Sequence, residues 1–166
     1  MNYKVVIFLI IFTCLGFYLF SEITFPSIYL PIIKVTKKEY LDEILDKLLE
    51  IPEVKDHFDN SQNWFQKNYN KKMDDIVYNY IKKVFIELNL SNDDFNNLFN
   101  TLKQNKKVNR TVFYIPSYIE KIIYNGKDSW LILYHWGQED YFDIGHFSYC
   151  VIDNKNYKIL YFNKCK

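Results

Sequence analysis

Tyr118-Ile119-Glu120-Lys121-Ile122-Ile123-Tyr124-Asn125-Gly126-Lys127-Asp128-Ser129-Trp130-Leu131-Ile132-Leu133-Tyr134-His135-Trp136 decides the fold class of this chain. β-Branched and aromatic residues dominate on both sides of Asn125-Gly126, a dipeptide that tolerates the left-handed backbone of a two-residue hairpin turn. A second turn signal, Asn154-Lys155-Asn156, follows further on. The pattern predicts strands near 112–115, 118–124, 128–136, 145–153 and 157–163, joined by short turns into an antiparallel meander. In that register Cys150 falls opposite Ile132, and His135 near Phe147. Across the last turn Cys150 falls opposite Leu160.

Upstream the period becomes helical. Thr36-Lys37-Lys38-Glu39 has the form of a capping box, which predicts a helix carrying Tyr40, Leu41, Ile44, Leu45, Leu48 and Leu49 on one face and stopped by Pro52. From about 61 to 88 the positions Phe65, Tyr69, Met73, Ile76, Val77, Tyr80, Ile81, Val84, Phe85 and Leu88 hold helical spacing, with a break near Asn68 to Lys71. Ser91, with Asp94 three residues on, caps a third helix through Phe95, Leu98, Phe99 and Leu102. The expected fold is therefore α+β, with three helices on one face of a four- to five-stranded antiparallel meander.

Further upstream, Val5 to Phe20 is a run of sixteen uncharged residues rich in Ile, Phe, Leu and Val. At about 1.5 Å per residue it reaches roughly 24 Å, a little short of the roughly 30 Å hydrocarbon core. It reads as a membrane-directed segment, an uncleaved anchor or a signal peptide. Lipidation at Cys14 is the weakest alternative, because Thr13 stands where a small Gly, Ala or Ser is wanted. The chain divides into a signal-anchor over 1–22, a juxtamembrane linker over 23–35 and one globular domain over 36–166, with the strip around Pro26 and Pro31 able to pack instead as an edge segment. The expected location is a bacterial cell membrane with the domain outside, or secretion if the segment is cleaved. Lys34, Lys37 and Lys38 weigh against that orientation.

Composition narrows the function classes. Lys+Arg 21 against Asp+Glu 20 gives a net charge of +1, which argues against a nucleic-acid partner. Arg110 is the single arginine and alanine is absent, which reads as codon bias from an AT-rich genome. There is no P-loop, dinucleotide glycine fingerprint, serine elbow or paired Cys-x-x-Cys, and no cofactor is expected.

The densest set of candidate ligands lies between His135 and His146. His135, Glu139, Asp143 and His146 define a metal-assisted hydrolase as the rival reading, although their spacing matches no zinc or calcium loop. Cys150 is expected to be a small buried hydrophobe, and a bridge from it to Cys165 is disfavoured by the strand register. His57 is expected at a surface or helix end, and Trp64, Trp130 and Trp136 in core and rim packing. The leading expectation is non-catalytic binding of an envelope protein or small ligand, on a surface formed by Tyr134, Trp136, Tyr149 and Tyr161. A structural accessory subunit of a membrane complex is the third reading.

Trp130-Leu131-Ile132 on one strand, with Val151-Ile152-Asp153 turning into Lys158-Ile159-Leu160, resembles in outline the closing hairpins of cystatin-like, NTF2-like and PepSY domains. That resemblance spans about a quarter of the chain. It implies binding, inhibitory or immunity roles as often as catalysis, and it carries over no functional residue.

Overall fold

The computed structural model describes residues 29–40, 48–69, 73–105, 112–138 and 143–163. Strand β1 (Ile32–Tyr40) comes first, followed by a single 3₁₀ turn (Leu48–Glu50). Three helices follow, α1 (Pro52–Asn68), α2 (Met73–Glu87) and α3 (Asn92–Asn105). Four strands complete the fold, β2 (Val112–Tyr124), β3 (Lys127–Gln138), β4 (Asp143–Asp153) and β5 (Ile159–Asn163). The chain is α+β, with a five-stranded mixed sheet in the order β1-β2-β3-β4-β5. The apolar run 5–20, expected to be membrane-directed, lies outside the described residues. Among those described, no helix is long and apolar enough to cross a membrane.

The meander holds from β2 to β5, but β1 pairs parallel to β2, with Ile32 opposite Tyr118 and Tyr40 opposite Tyr124. This corrects two expectations: the sheet is not purely antiparallel, and Thr36 to Glu39 lies in a strand rather than starting a helix. A parallel neighbour needs a long crossover, and the three helices between Tyr40 and Val112 supply it. Thr36 donates its hydroxyl hydrogen to the Glu120 carboxylate on β2 instead of capping a helix. The edge-segment alternative for the end of the 23–35 strip describes Ile32 to Val35. The helical face at Leu41 to Leu45 lies outside the described residues.

Pro52 opens α1, just after the 3₁₀ turn. Its fixed φ suits the first helical position, where its missing N–H would have had no partner. The predicted break separates α1 from α2, and the Tyr69 N–H closes α1 on the Phe65 carbonyl at 2.8 Å. α2 ends on Asn89 in the left-handed region (φ 54°), with the Leu90 N–H reaching back to the Phe85 carbonyl at 2.9 Å. Ser91 then caps α3, its Oγ accepting the Asp94 N–H at 3.0 Å.

Strand geometry follows its turns. Asn125 (φ 48°) and Gly126 (φ 72°) form the expected hairpin turn. At the β4–β5 turn, Asp153 Oδ1 accepts the N–H groups of Lys155 at 2.7 Å and Asn156 at 3.1 Å. The two predicted strands 112–115 and 118–124 are one strand, interrupted by a bulge between Pro116 and Tyr118. The β3–β4 register sets Cys150 opposite Ile132 and His135 opposite Phe147, as the pattern predicts. A bulge between Val151 and Ile152 moves the β5 register, so Cys150 faces Phe162 and not Leu160.

The helices do not share one face of the sheet. Val77 and Ile81 of α2, Phe95 and Leu98 of α3 and Phe65 near the end of α1 pack with Ile119, Trp130, Ile132, Cys150 and Ile152. Val54 and Phe58 at the start of α1, with Leu48, pack with Tyr118, Ile122, Leu131, Leu133, Tyr149 and Val151. Alternate residues of β3 thus enter different clusters, and every residue from Ser129 to His135 is buried. Each such apolar side chain contributes about 1.5–3 kcal/mol relative to exposure. Helix α1 bridges the two clusters, which brings its polar residues against the sheet interior.

Candidate functional site

Helix α1 turns His57, Phe58, Ser61 and Phe65 inward, residues at the three- and four-residue spacing of one helical face. The β2 bulge meets this face. The His57 Nε2–H donates to the Ser117 carbonyl at 3.0 Å, which assigns that tautomer because a carbonyl can only accept. Ser61 donates its hydroxyl hydrogen to the His57 carbonyl at 2.8 Å. His57 is therefore a buried residue joining helix to sheet, not the expected surface histidine. The signal that locates it is the Val54, His57, Phe58, Ser61, Phe65 periodicity, once Pro52 is taken as a helix start.

His135 lies beside it, fully buried, its ring 3.9 Å from the centroid of Phe58 and 6.1 Å from that of Phe65. Both of its ring nitrogens are buried without a hydrogen-bond partner of ordinary geometry. Burial in this aromatic setting, reinforced by His57, pushes its pKa down to about 3. The ring is neutral at physiological pH.

Of the remaining candidates, the two histidines are set apart. His146 pairs in register with Trp136 and stacks on its ring at 4.4 Å, whereas His135 pairs with Phe147, so the two histidines occupy opposite faces. Glu139 and the Asp143 side chain lie outside the described residues. No group of three or more His, Cys, Asp or Glu that could hold a metal occurs among the described residues. Cys150 is fully buried, and the apolar surroundings push its thiol up to about 12, a poor setting for a thiolate nucleophile. Cys165 lies outside the described residues.

The four aromatic candidates separate into two pairs. Tyr134 is buried edge-on to Tyr114 at 5.1 Å, in the same cluster that Trp136 packs against. Desolvation holds the Tyr134 phenol well above its ordinary pKa. Tyr149 and Tyr161 stack at 5.8 Å in the other cluster, with Tyr124 at 6.4 Å from Tyr161. The pairing of Leu133 with Tyr149 and of Tyr134 with Ser148 makes this unavoidable, since neighbouring register positions face opposite ways. The four tyrosine and tryptophan side chains do not form one surface. The Tyr149–Tyr161 pair stands at the β5 margin.

A small hollow of about 30 Å³ lies between Val77, Phe99, Leu102, Tyr114 and Pro116. It has room for roughly one or two waters and no larger ligand.

Attention to sheet margins adds what the sequence reading missed. β1 carries Lys34, Lys37 and Lys38 and a register irregularity between Lys34 and Lys38, both devices that discourage further pairing. β5, Ile-Leu-Tyr-Phe-Asn, has no charge and no proline, and among the described residues it pairs with β4 alone. Ile159 is exposed and Leu160, Tyr161 and Phe162 are half-buried. Comparison of the chain with family models, with curated proteins and with solved structures finds no match.

Proposed function

We propose that this chain is a non-catalytic binding domain, held at a membrane through residues 5–20, whose partner is another protein docking at the β5 margin. The supporting observation is the inequality of the two margins. One edge is guarded by lysines and a bulge, while the other presents an uncharged, aromatic strand beside the Tyr149–Tyr161 stack. An open edge of this kind promotes aggregation unless something covers it, and tyrosine is a favoured interface residue. On this reading His57 and His135 shape the interior and perform no chemistry.

The domain is placed on the outer side of the membrane. Protease treatment of intact cells degrades residues 34–166 if this is right, and leaves them protected if it is wrong. The partner is tested by cross-linking the full-length protein in its native membrane, then co-purifying. The expected result is a stoichiometric protein with cross-links at 158–163. Stoichiometric cross-links confined to other surfaces would overturn the assignment of the margin.

A further inference from the structure

Resting on the reading of β5 as the docking margin, we infer that its occupant is an extended segment of a partner protein, apolar over about five residues and flanked by acidic side chains, which adds to the sheet as a sixth strand.

Three features carry this. An edge strand offers a row of backbone donors and acceptors, whose complement is another extended backbone. Alternate side chains of an added strand meet different neighbours. On one face stands Tyr161, stacked on Tyr149, and on the other Phe162, at 6.3 Å from Tyr134, so the added segment must be apolar toward both. The charged residues nearest the strand in sequence are lysines, and the carboxylates at the β4–β5 turn, Asp153 and Asp94, are already engaged by the Lys155 and Asn156 N–H groups and by the Tyr157 hydroxyl. Lys155 and Lys158 are exposed just before the strand, Lys164 follows it directly in the sequence, and Ile159 to Asn163 contains no acid.

The same charges oppose a second copy of this chain. In-register parallel pairing of two β5 strands sets the exposed Lys158 beside its own counterpart. Five residues also extend only about 17 Å. That is short for docking two folded domains, which ordinarily bury about 1,600 Å² together, but it matches one peptide segment.

The experiment uses the full-length protein in detergent micelles and a fluorescent nine-residue peptide, five alternating Val and Phe residues between two pairs of glutamates. Fluorescence anisotropy should show saturable binding. Binding should weaken at least tenfold when the glutamates are replaced by lysines. It should weaken at least tenfold when alternate backbone nitrogens are methylated, because the ladder cannot then form. Ile159→Glu in the protein should weaken it tenfold with circular dichroism unchanged; if that variant does not fold, the two peptide changes decide. Equal binding of the methylated peptide overturns strand addition, and equal binding of the lysine peptide overturns the acidic flanks. Self-association of the wild type that Ile159→Glu abolishes identifies a second copy and overturns the inference. Should the native partner cross-link at 158–163 through a helical or basic segment, the docking reading stands and the sixth strand falls. Cross-links elsewhere remove both.

Discussion

The Nε2 of His57 lies 3.0 Å from the Ser117 carbonyl, a contact that exists because the β2 bulge and the first turns of α1 meet at one point. Beside it His135 sits between aromatic rings, with neither ring nitrogen in a hydrogen bond of ordinary geometry. The interface between α1 and the sheet thus contains two imidazoles, and the surroundings of His135 reject charge.

This gives a pH dependence with a defined sign. His135 has a folded pKa of about 3, and the unfolded value is about 6.5. Between these values the unfolded chain binds the extra proton, so stability is full above about pH 6.5 and declines as the pH falls, by up to about 1.4 kcal/mol per unit for this one group. Urea midpoints measured from pH 7.5 to 5 should fall, and His135→Phe should flatten the slope. An unchanged slope in that variant would assign the acid sensitivity elsewhere.

The buried Glu120 carboxylate accepts hydrogen bonds from Thr36 on β1 and, at 2.7 Å, from the Tyr118 hydroxyl. Thr36→Val leaves an oxygen of a fully buried group without this donor and should destabilise the fold by about 1–3 kcal/mol. Amide exchange should quicken most in β1. Tyr118→Phe should behave similarly, and the double variant should depart from the sum of the two, because both donors serve one acceptor group.

Gly126 has φ 72° and nothing within 4 Å of the position a Cβ would take. Gly126→Ala is therefore opposed by backbone conformation alone and should cost about 1–2 kcal/mol. Asn125→Gly should be tolerated, since its left-handed φ suits glycine. Chemical denaturation of the two variants checks the ordering.

Ser91→Ala removes the cap of α3 and should cost about 1 kcal/mol. The Asp94 carboxylate should keep its hydrogen bond from Tyr157, which ties α3 to the β4–β5 turn. Thermal melts of Ser91→Ala and Tyr157→Phe, singly and together, should show that both weaken the same attachment.

The sheet was legible where turn chemistry and register agree. Asn125-Gly126 set the first hairpin, and the Ile132–Cys150 and His135–Phe147 pairings followed from it. β1 was misread because Thr36-x-x-Glu39 satisfies a capping pattern locally, while its actual partner, Glu120, is eighty-four residues away. The helix start at Pro52 was missed for a related reason: proline marks a boundary, and the local sequence does not say whether a helix opens there. The two-faced sheet was signalled by the unbroken apolar run Trp130 to Tyr134, a pattern of strands covered on both sides. The dispersal of the aromatic candidates depended on residue parity across three strands, which composition does not reveal.

The parallel pairing of β1 has a mechanical consequence. Because β2 and β4 run with β1 while β3 and β5 run against it, Ile32, Tyr118, Leu133, Tyr149 and Asn163 lie in one row across the sheet. The start of β1 and the end of β5 are therefore at the same end of the sheet, on opposite margins. Tension applied between those two points runs across the strands and loads the ladder bonds at that end first, one after another.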